Sequence, residues 1–216
     1  MTITTTLNEI LADGPCGQQR VSYFSKGGGY ELVGWLKLLA GLEAKYGKAP
    51  DMFAVLPFAD ILEINGIADA LWCCRTRPEY NYTWRGFDTW CITQQVEFLV
   101  PELRTVYTRL LAYVEGLSIF GMQWMHETTM DVRAVLRIKR NERAKRMGLT
   151  QAMEWSTTDA SADEFSTMGL TTALYHATKR EGVYRPGLAA YYAAEAAAHS
   201  TEARKAQAAK FLEIVK

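Results

Sequence analysis

Residues 58–99 constrain the fold more than any other part of the sequence, because their apolar side chains recur at the spacing of helical turns. The pattern predicts a two-turn helix over residues 59–65, and Gly66 suits a left-handed C-terminal cap. A second helix is predicted over 67–75, and it ends before Pro78 because the residue that precedes a proline leaves the helical region. A third helix is predicted from its apolar residues, which are Trp84, Phe87, Trp90, Cys91 and Phe98.

The same helical period covers most of the remaining chain, and no segment shows the alternation that is typical of a strand. The sequence therefore predicts an all-α fold of stacked antiparallel helices, either a helical bundle or a short solenoid, in one domain over residues 1–216. The glycine-rich residues 17–29 are predicted to form a flexible loop, and the alanine-rich residues 186–216 one long C-terminal helix. The other predicted helices cover residues 4–12, 30–46, 101–114, 119–147, 150–155 and 164–180.

The charge balance excludes binding that depends on the field of the whole molecule. The 216 residues carry 24 basic and 24 acidic side chains, so the formal net charge is +0. Binding of nucleic acid or of an anionic membrane would therefore require a local patch. The sequence has no run of about 18 apolar residues, and its N-terminus lacks the basic start and apolar core of a secretory signal. We expect a cytoplasmic protein without a membrane span.

The cysteine and histidine residues form no pattern that is typical of catalysis or metal binding. The four cysteines, Cys16, Cys73, Cys74 and Cys91, contain no C-x-x-C pair, and we expect free thiols buried in a reducing environment. Residues 126–130 read His-Glu-Thr-Thr-Met and resemble the zinc-protease signature, but a methionine occupies the position of its second histidine. The sequence therefore predicts neither a metal, nor a cofactor, nor an enzyme.

Short motifs in the first hundred residues carry a resemblance to a known family. Residues 69–75 read Asp-Ala-Leu-Trp-Cys-Cys-Arg, and further elements are Pro15-Cys16, the Gly-Trp-Leu-Lys-Leu-Leu of residues 34–39, and Trp90-Cys91. Together with the alanine-rich residues 203–215, they resemble a family of phage and prophage proteins marked by an Asp-Ala-Leu-Trp-Cys-Leu-Arg motif. That family is called immunity proteins by analogy with bacterial toxin systems. The resemblance implies an all-helical fold and lends no established activity.

The chain departs from the family's pattern at three places. A glycine-rich insertion separates the Pro-Cys element from the Gly-Trp element. Thr93 and Glu97 stand where the family has an arginine and a histidine. A basic, methionine-rich helix replaces the family's alanine-rich middle, so the resemblance implies nothing for residues 119–186.

A basic stretch in this region gives the candidate site. On a helix its cations form two stripes, which could neutralise several phosphates, dock on an acidic protein, or remain a solvated helix face. No aromatic residue is interleaved with them, so stacking on nucleic-acid bases is not indicated. Tyr80 and Tyr82, close to Pro78, are predicted to be exposed aromatics at an interface. The cations are Arg133, Arg137, Lys139, Arg140, Arg143, Lys145 and Arg146.

These observations predict a non-enzymatic, phage-encoded protein that binds and inhibits a bacterial host protein or defence complex. An anti-CRISPR or other anti-defence role is the sharpest form of this hypothesis, and immunity against superinfection or toxins is the next. The alternative is a nucleic-acid-binding accessory protein that uses the basic helix 133–146. A small hydrolase with an unrecognised site is the third hypothesis.

Overall fold

The computed structural model describes residues 2–13, 34–116, 121–146, 162–180, 184–197 and 200–216. Within these ranges the side chains of residues 140, 143, 144, 162–165 and 200 lie outside the description. The described chain is all-α, as predicted, and forms two compact units. Unit 1 comprises Met1–Tyr80 with Arg204–Lys216, and unit 2 comprises Asn81–Ala203. The α-helices are α1 (Leu7–Ala12), α2 (Gly34–Tyr46), α3 (Phe58–Asn65), α4 (Ile67–Cys73), α5 (Asn81–Thr93), α6 (Pro101–Val114), α7 (Met122–Arg146), α8 (Ala162–Ala177), α9 (Leu188–Ala196) and α10 (Ser200–Val215).

Unit 1 builds its core from short helices and the last helix of the chain. A capping box starts α1, because the Thr6 hydroxyl accepts from the Glu9 amide while the Glu9 carboxylate accepts from the Thr6 amide. The rings of Phe58 on α3 and Phe211 on α10 lie 6.2 Å apart, and both are fully buried. Two strands of two residues, β1 (Thr4–Thr5) and β2 (Leu56–Pro57), pair antiparallel with Thr4 opposite Pro57. The sequence pattern gave no sign of this pair, because two residues are too short to show alternation.

The motif at residues 69–75 is explained by packing within unit 1. Asp69 lies beside the start of α2, where a β-carbon added to Gly34 would fall 2.0 Å from its Oδ2 atom. Asn65 links Gly34 and Asp69, since its Nδ2 atom donates to both the Gly34 carbonyl and Asp69 Oδ2 at 2.9 Å. Trp72 is 9% exposed, and the Arg75 guanidinium lies 4.3 Å from its ring. Only glycine can therefore stand at position 34 without displacing the motif's aspartate.

Unit 2 centres on α5, which packs against α6, α8 and α9. Helices α8 and α9 approach closely where Gly169 faces Ala196. A β-carbon added to Gly169 would lie only 2.9 Å from the Ala196 β-carbon. Gln95, shortly after the end of α5, donates to the Ala193 carbonyl on α9 at 2.6 Å. Pro101 starts α6 as predicted. Phe98 belongs to a 3-10 turn, Val96–Phe98, and not to the helix of Trp84.

The prediction of one long helix over residues 186–216 is wrong. Helix α9 ends at Ala196, Ala197 is extended with φ −70° and ψ 134°, and α10 starts at Ser200. Alanine has a high helix propensity, but a few tenths of a kcal/mol per residue do not fix where a helix ends. The loop at residues 17–29 and the helix at residues 150–155 lie outside the described residues, and the single domain stays a prediction. No described helix is long and apolar enough to cross a membrane.

Candidate functional site

The two halves of α7 have different surroundings. In the first half Met125 and Thr129 are fully buried, and α7 packs against α6 and α8. In the second half, residues 134–146, no described side chain is buried. We call this segment the exposed half of α7. Its exposed side chains are Ala134, Val135, Arg137, Ile138, Lys139, Glu142, Lys145 and Arg146.

Six of the seven predicted cations belong to the exposed half of α7, and four of these have described, exposed side chains, namely Arg137, Lys139, Lys145 and Arg146. Arg146 pairs with Glu142 one turn earlier at 3.9 Å, which is a weak contact at an exposed position. The side chains of Arg140 and Arg143 lie outside the description. The structure therefore presents these four cations to solvent, as the sequence pattern predicts.

The seventh cation, Arg133, is separate from that surface. Its guanidinium lies 4.7 Å from the ring of Tyr175 on α8, and its side chain is half-buried. The helical period alone places Arg133 on one face with Arg137. Because α7 packs against α8, however, Arg133 lies against Tyr175 and is partly buried, whereas Arg137 is exposed. Which part of α7 is covered depends on α8, and the sequence of α7 does not contain that information.

The two predicted interface tyrosines lie in different units. Tyr80 is half-buried, with the Arg77 guanidinium 6.0 Å from its ring. Tyr82 is 50% exposed, but its hydroxyl donates to the Tyr113 carbonyl at 3.1 Å and to the Val114 carbonyl at 2.9 Å. These bonds satisfy carbonyl groups at the C-terminal end of α6. Tyr82 therefore has a structural role at a helix end in addition to its exposed ring face.

A cluster of rings joins α7, α8 and α9 in unit 2. Tyr175 stacks on His126 at 4.8 Å and meets His176 edge-on at 5.0 Å, and His176 stacks on Tyr192 at 5.2 Å with an angle of 5°. Two cations also belong to the cluster. The Arg133 guanidinium lies 4.7 Å and the Lys179 ammonium 4.9 Å from the centre of the Tyr175 ring. We call these six residues the histidine cluster.

The histidine cluster is electropositive. Burial, together with the nearby charges of Lys179 and Arg133, lowers the pKa of His176 to about 3, so this imidazole is neutral at pH 7. The pKa of His126 is also lowered, by burial and by Lys179. His176 Nδ1 and Arg133 Nε are buried nitrogens without a hydrogen-bond partner. The cluster therefore holds cations and polar nitrogens that are left unsatisfied, which is unusual for a protein interior.

A second polar site in unit 2 lies on α5, where Arg85 and Asp88 are both buried. The Arg85 guanidinium donates to the carbonyls of Ala177 and Lys179, the latter at 2.9 Å, and lies 4.1 Å from the Tyr184 ring. Asp88 accepts from the Tyr184 hydroxyl at 2.6 Å and from the Ala190 amide at 3.1 Å. We call the two the Arg85–Asp88 pair. It binds the end of α8 and the start of α9 to α5.

Burial raises the pKa of the Asp88 carboxyl to about 6, against the opposing effect of the hydrogen bond from Tyr184. Our sequence reasoning missed this pair. Its only sign is an arginine and an aspartate three residues apart in the otherwise aromatic run 82–90. Charged side chains that are buried require polar partners. An arginine and an aspartate within an aromatic helix are therefore a sequence signal for a buried polar site.

The described residues offer no metal centre. No three His, Cys, Asp or Glu side chains come together in the part of the chain that the structure describes. Cys73, Cys74 and Cys91 are buried, and burial raises the pKa of the Cys73 thiol, so its reactive thiolate is disfavoured. Cys16 lies outside the described residues.

Comparison with protein families, with curated proteins and with solved structures found no match to this chain. The resemblance to phage immunity proteins therefore stays an expectation. Its motif residues Asp69 and Trp72 take part in the packing of unit 1 and do not line the two polar sites described above. The exposed half of α7 and the histidine cluster are two features of the described residues that have polar groups free to meet a partner.

Proposed function

We propose that this chain is a non-enzymatic binding protein that docks an acidic surface of a partner protein on the exposed half of α7. One observation carries the proposal: Val135 and Ile138 are 49% and 57% exposed on the same stretch as four solvent-facing cations. Residues three apart on a helix are neighbours, so the two aliphatic side chains form one small apolar patch. Arg137 and Lys139 flank it in the sequence.

This combination suits a protein surface better than a nucleic acid. Burying two aliphatic side chains against a partner is favourable, since each gains roughly 1.5–3 kcal/mol on full burial. The cations at its rim would steer an acidic partner and speed the encounter. Phosphate contacts, in contrast, gain from cations alone and give no reason to expose a valine and an isoleucine.

The charge distribution along α7 favours the same partner class. Lys145 and Arg146 lie two to three helical turns after the apolar patch. A helix that carries an apolar patch and further cations along its length can lie in an acidic groove. The resemblance to phage proteins adds a finer proposal, in which the partner is a bacterial host protein or defence complex that is inhibited by occupation of its surface.

The test separates the apolar patch from the cations. One variant carries Val135→Ser with Ile138→Ser, and a second carries Arg137→Glu with Lys139→Glu. The control carries Lys48→Glu with Arg104→Glu, which makes the same change in net charge at two other exposed positions. Each is immobilised and exposed to bacterial lysate, with and without nuclease, and any captured protein is purified for binding kinetics.

We expect both variants of α7 to weaken binding of the purified partner by at least about tenfold while the control binds normally. The apolar variant should dissociate faster, and the charge variant should associate more slowly at low salt. Capture that nuclease abolishes, together with steep salt dependence of duplex DNA binding, would support the nucleic-acid alternative. Equal capture by all variants would show that the exposed half of α7 is only a solvated surface.

A further inference from the structure

We propose that the histidine cluster binds a phosphoryl group, with Arg133 of α7 and His176 and Lys179 at the end of α8 as its ligands. This inference goes beyond the docking surface, because none of the three residues is part of the exposed half of α7. It rests on the geometry around Tyr175, on two unsatisfied nitrogens, and on the surplus of positive charge.

The geometry brings the three ligands to one ring. The Arg133 guanidinium, the Lys179 ammonium and the His176 ring lie 4.7, 4.9 and 5.0 Å from the centre of Tyr175. His126 lies 4.8 Å from the same ring, and its Nδ1 atom is 3.5 Å from the Thr178 hydroxyl. Four nitrogen-bearing groups from two adjacent helices therefore surround one aromatic side chain.

The unsatisfied nitrogens indicate a ligand. Arg133 Nε and His176 Nδ1 are buried without a hydrogen-bond partner. Buried polar atoms of this kind usually have a partner, either in the protein or in a bound water or ion. Among the ion pairs that the described residues form, none involves Arg133 or Lys179. An anion would supply acceptors to both nitrogens and oppose the crowded positive charges.

The number of positive charges favours a phosphoryl group over a carboxylate. A phosphate monoester carries roughly −1.5 to −2 charges at pH 7 and three strong acceptor oxygens. Its three oxygens equal the three nitrogen-bearing groups Arg133, Lys179 and His176 in number, whereas a carboxylate has two oxygens. Arginine and lysine are the usual protein ligands of phosphate.

Binding would change the protonation of His176. The imidazole is neutral because it is buried and faces Arg133 and His126 of α7, Lys179 of its own segment, and Arg185 beyond it. A bound dianion reverses this electrostatic effect and favours the imidazolium. Phosphoryl binding should therefore raise the pKa of His176 and favour uptake of a proton at its ring.

The test uses inorganic phosphate and the full chain in titration calorimetry, in two buffers that differ in ionisation enthalpy. We expect one saturable site per chain and a binding enthalpy that differs between the buffers because a proton is taken up. His176→Gln should remove that additional proton uptake. Because phosphate's own titration is the same in wild type and variant, the difference between them isolates His176.

Substitutions identify the ligands. Lys179→Gln and Arg133→Gln should each weaken phosphate binding by about tenfold or more, since each removes a charge-assisted contact. Lys179 is only half-buried, so this variant tests the site even if Arg133→Gln does not fold. Arg104→Gln, at an exposed position of α6, is the matched control and should bind phosphate normally.

Two further probes identify the source of the phosphoryl group. Adenosine monophosphate that binds more tightly than phosphate would indicate a nucleotide. Equal affinity would indicate free phosphate or a simple phosphate monoester. The proposal is wrong if phosphate shows no saturable binding, if acetate binds as tightly, or if the three substitutions leave the affinity unchanged. The docking proposal would survive any of these results, because it depends on other residues.

Discussion

Unit 2 contains two sites where an arginine meets aromatic rings inside the protein, and they differ in how their polar groups are satisfied. Arg85 donates to two backbone carbonyls at the end of α8 and lies near a carboxylate three residues further along α5. Arg133 lies over Tyr175 with its Nε atom unpartnered, next to a lysine and two histidines. The Arg85–Asp88 pair forms hydrogen bonds with other groups of the chain. In the histidine cluster, two buried nitrogen atoms have no hydrogen-bond partner.

The comparison separates a structural role from a binding role. A buried charge whose partners belong to the same fold stabilises that fold, and its removal leaves those partners unsatisfied. A buried charge without such partners contributes little to folding and is retained at a cost to stability, which is common at binding sites. The following predictions test this distinction, from the largest expected effect to the smallest.

Arg85→Met should destabilise the chain by about 3–5 kcal/mol, because it removes two hydrogen bonds to carbonyls and leaves Asp88 as a buried charge. Urea denaturation measures the free energy of unfolding. The exposed Arg104→Met is the control and should change it by less than about 0.5 kcal/mol. A loss below about 1 kcal/mol for Arg85→Met would show that the pair is not structural.

The two sites should give opposite pH dependences of stability. The pKa of Asp88 is raised to about 6 in the folded state, so its protonation stabilises the fold at low pH and that stability is lost as pH rises through 6. The pKa of His176 is lowered to about 3, so stability is lost as pH falls below its unfolded value of about 6.5. Between pH 4 and 6 the two effects therefore oppose each other.

Two variants separate these effects in unfolding measurements between pH 4 and 7.5. Relative to wild type, Asp88→Asn should make stability rise more steeply with pH, by about 3 kcal/mol over this range. His176→Gln should have the opposite effect, so that stability falls as the pH rises from 4 to 6. Parallel curves for wild type and both variants would exclude the two titrations.

Tyr184→Phe should cost about 1.5–3 kcal/mol, because Asp88 loses the hydroxyl that donates to it at 2.6 Å. Tyr192→Phe is the matched change in the histidine cluster. Its ring stacks on His176, and its hydroxyl has no hydrogen-bond partner among the described residues, so this variant should lose less than about 0.5 kcal/mol. Equal losses in urea denaturation would remove the contrast between the two sites.

Arg133→Met should have a smaller effect than Arg85→Met and Tyr184→Phe, within about 1 kcal/mol of wild type in phosphate-free buffer. The variant loses a cation–π contact of about 0.5–2 kcal/mol, but it also removes an unsatisfied nitrogen and the repulsion from Lys179. Thermal unfolding should then show phosphate stabilising wild type but not the variant. A loss as large as that of Arg85→Met would identify Arg133 as a structural residue.

Helical periodicity predicted the class of fold and the positions of α2 to α6, because those helices bury regular apolar stripes. It did not predict the break at Ala197, because an alanine-rich stretch has no stripe whose interruption marks an end. The exposed cations of α7 were also readable from their spacing. The histidine cluster was not, because His126 and His176 are 50 residues apart in the sequence and only the packing of α7 on α8 joins them.

The hydrogen bonding of Ile3 to the other end of the chain affects the order in which the protein can fold during synthesis. The Ile3 amide donates to the Val215 carbonyl at 3.0 Å, and Phe211 fills the core of unit 1 beside Phe58. A ribosome makes residues 81–203 before it makes this last segment, so unit 2 can complete its contacts first. Until Phe211 emerges, the partner face of Phe58 stays open to chaperones and proteases. Unit 1 therefore completes its core only after α10 has been made, although most of its residues precede unit 2 in the sequence.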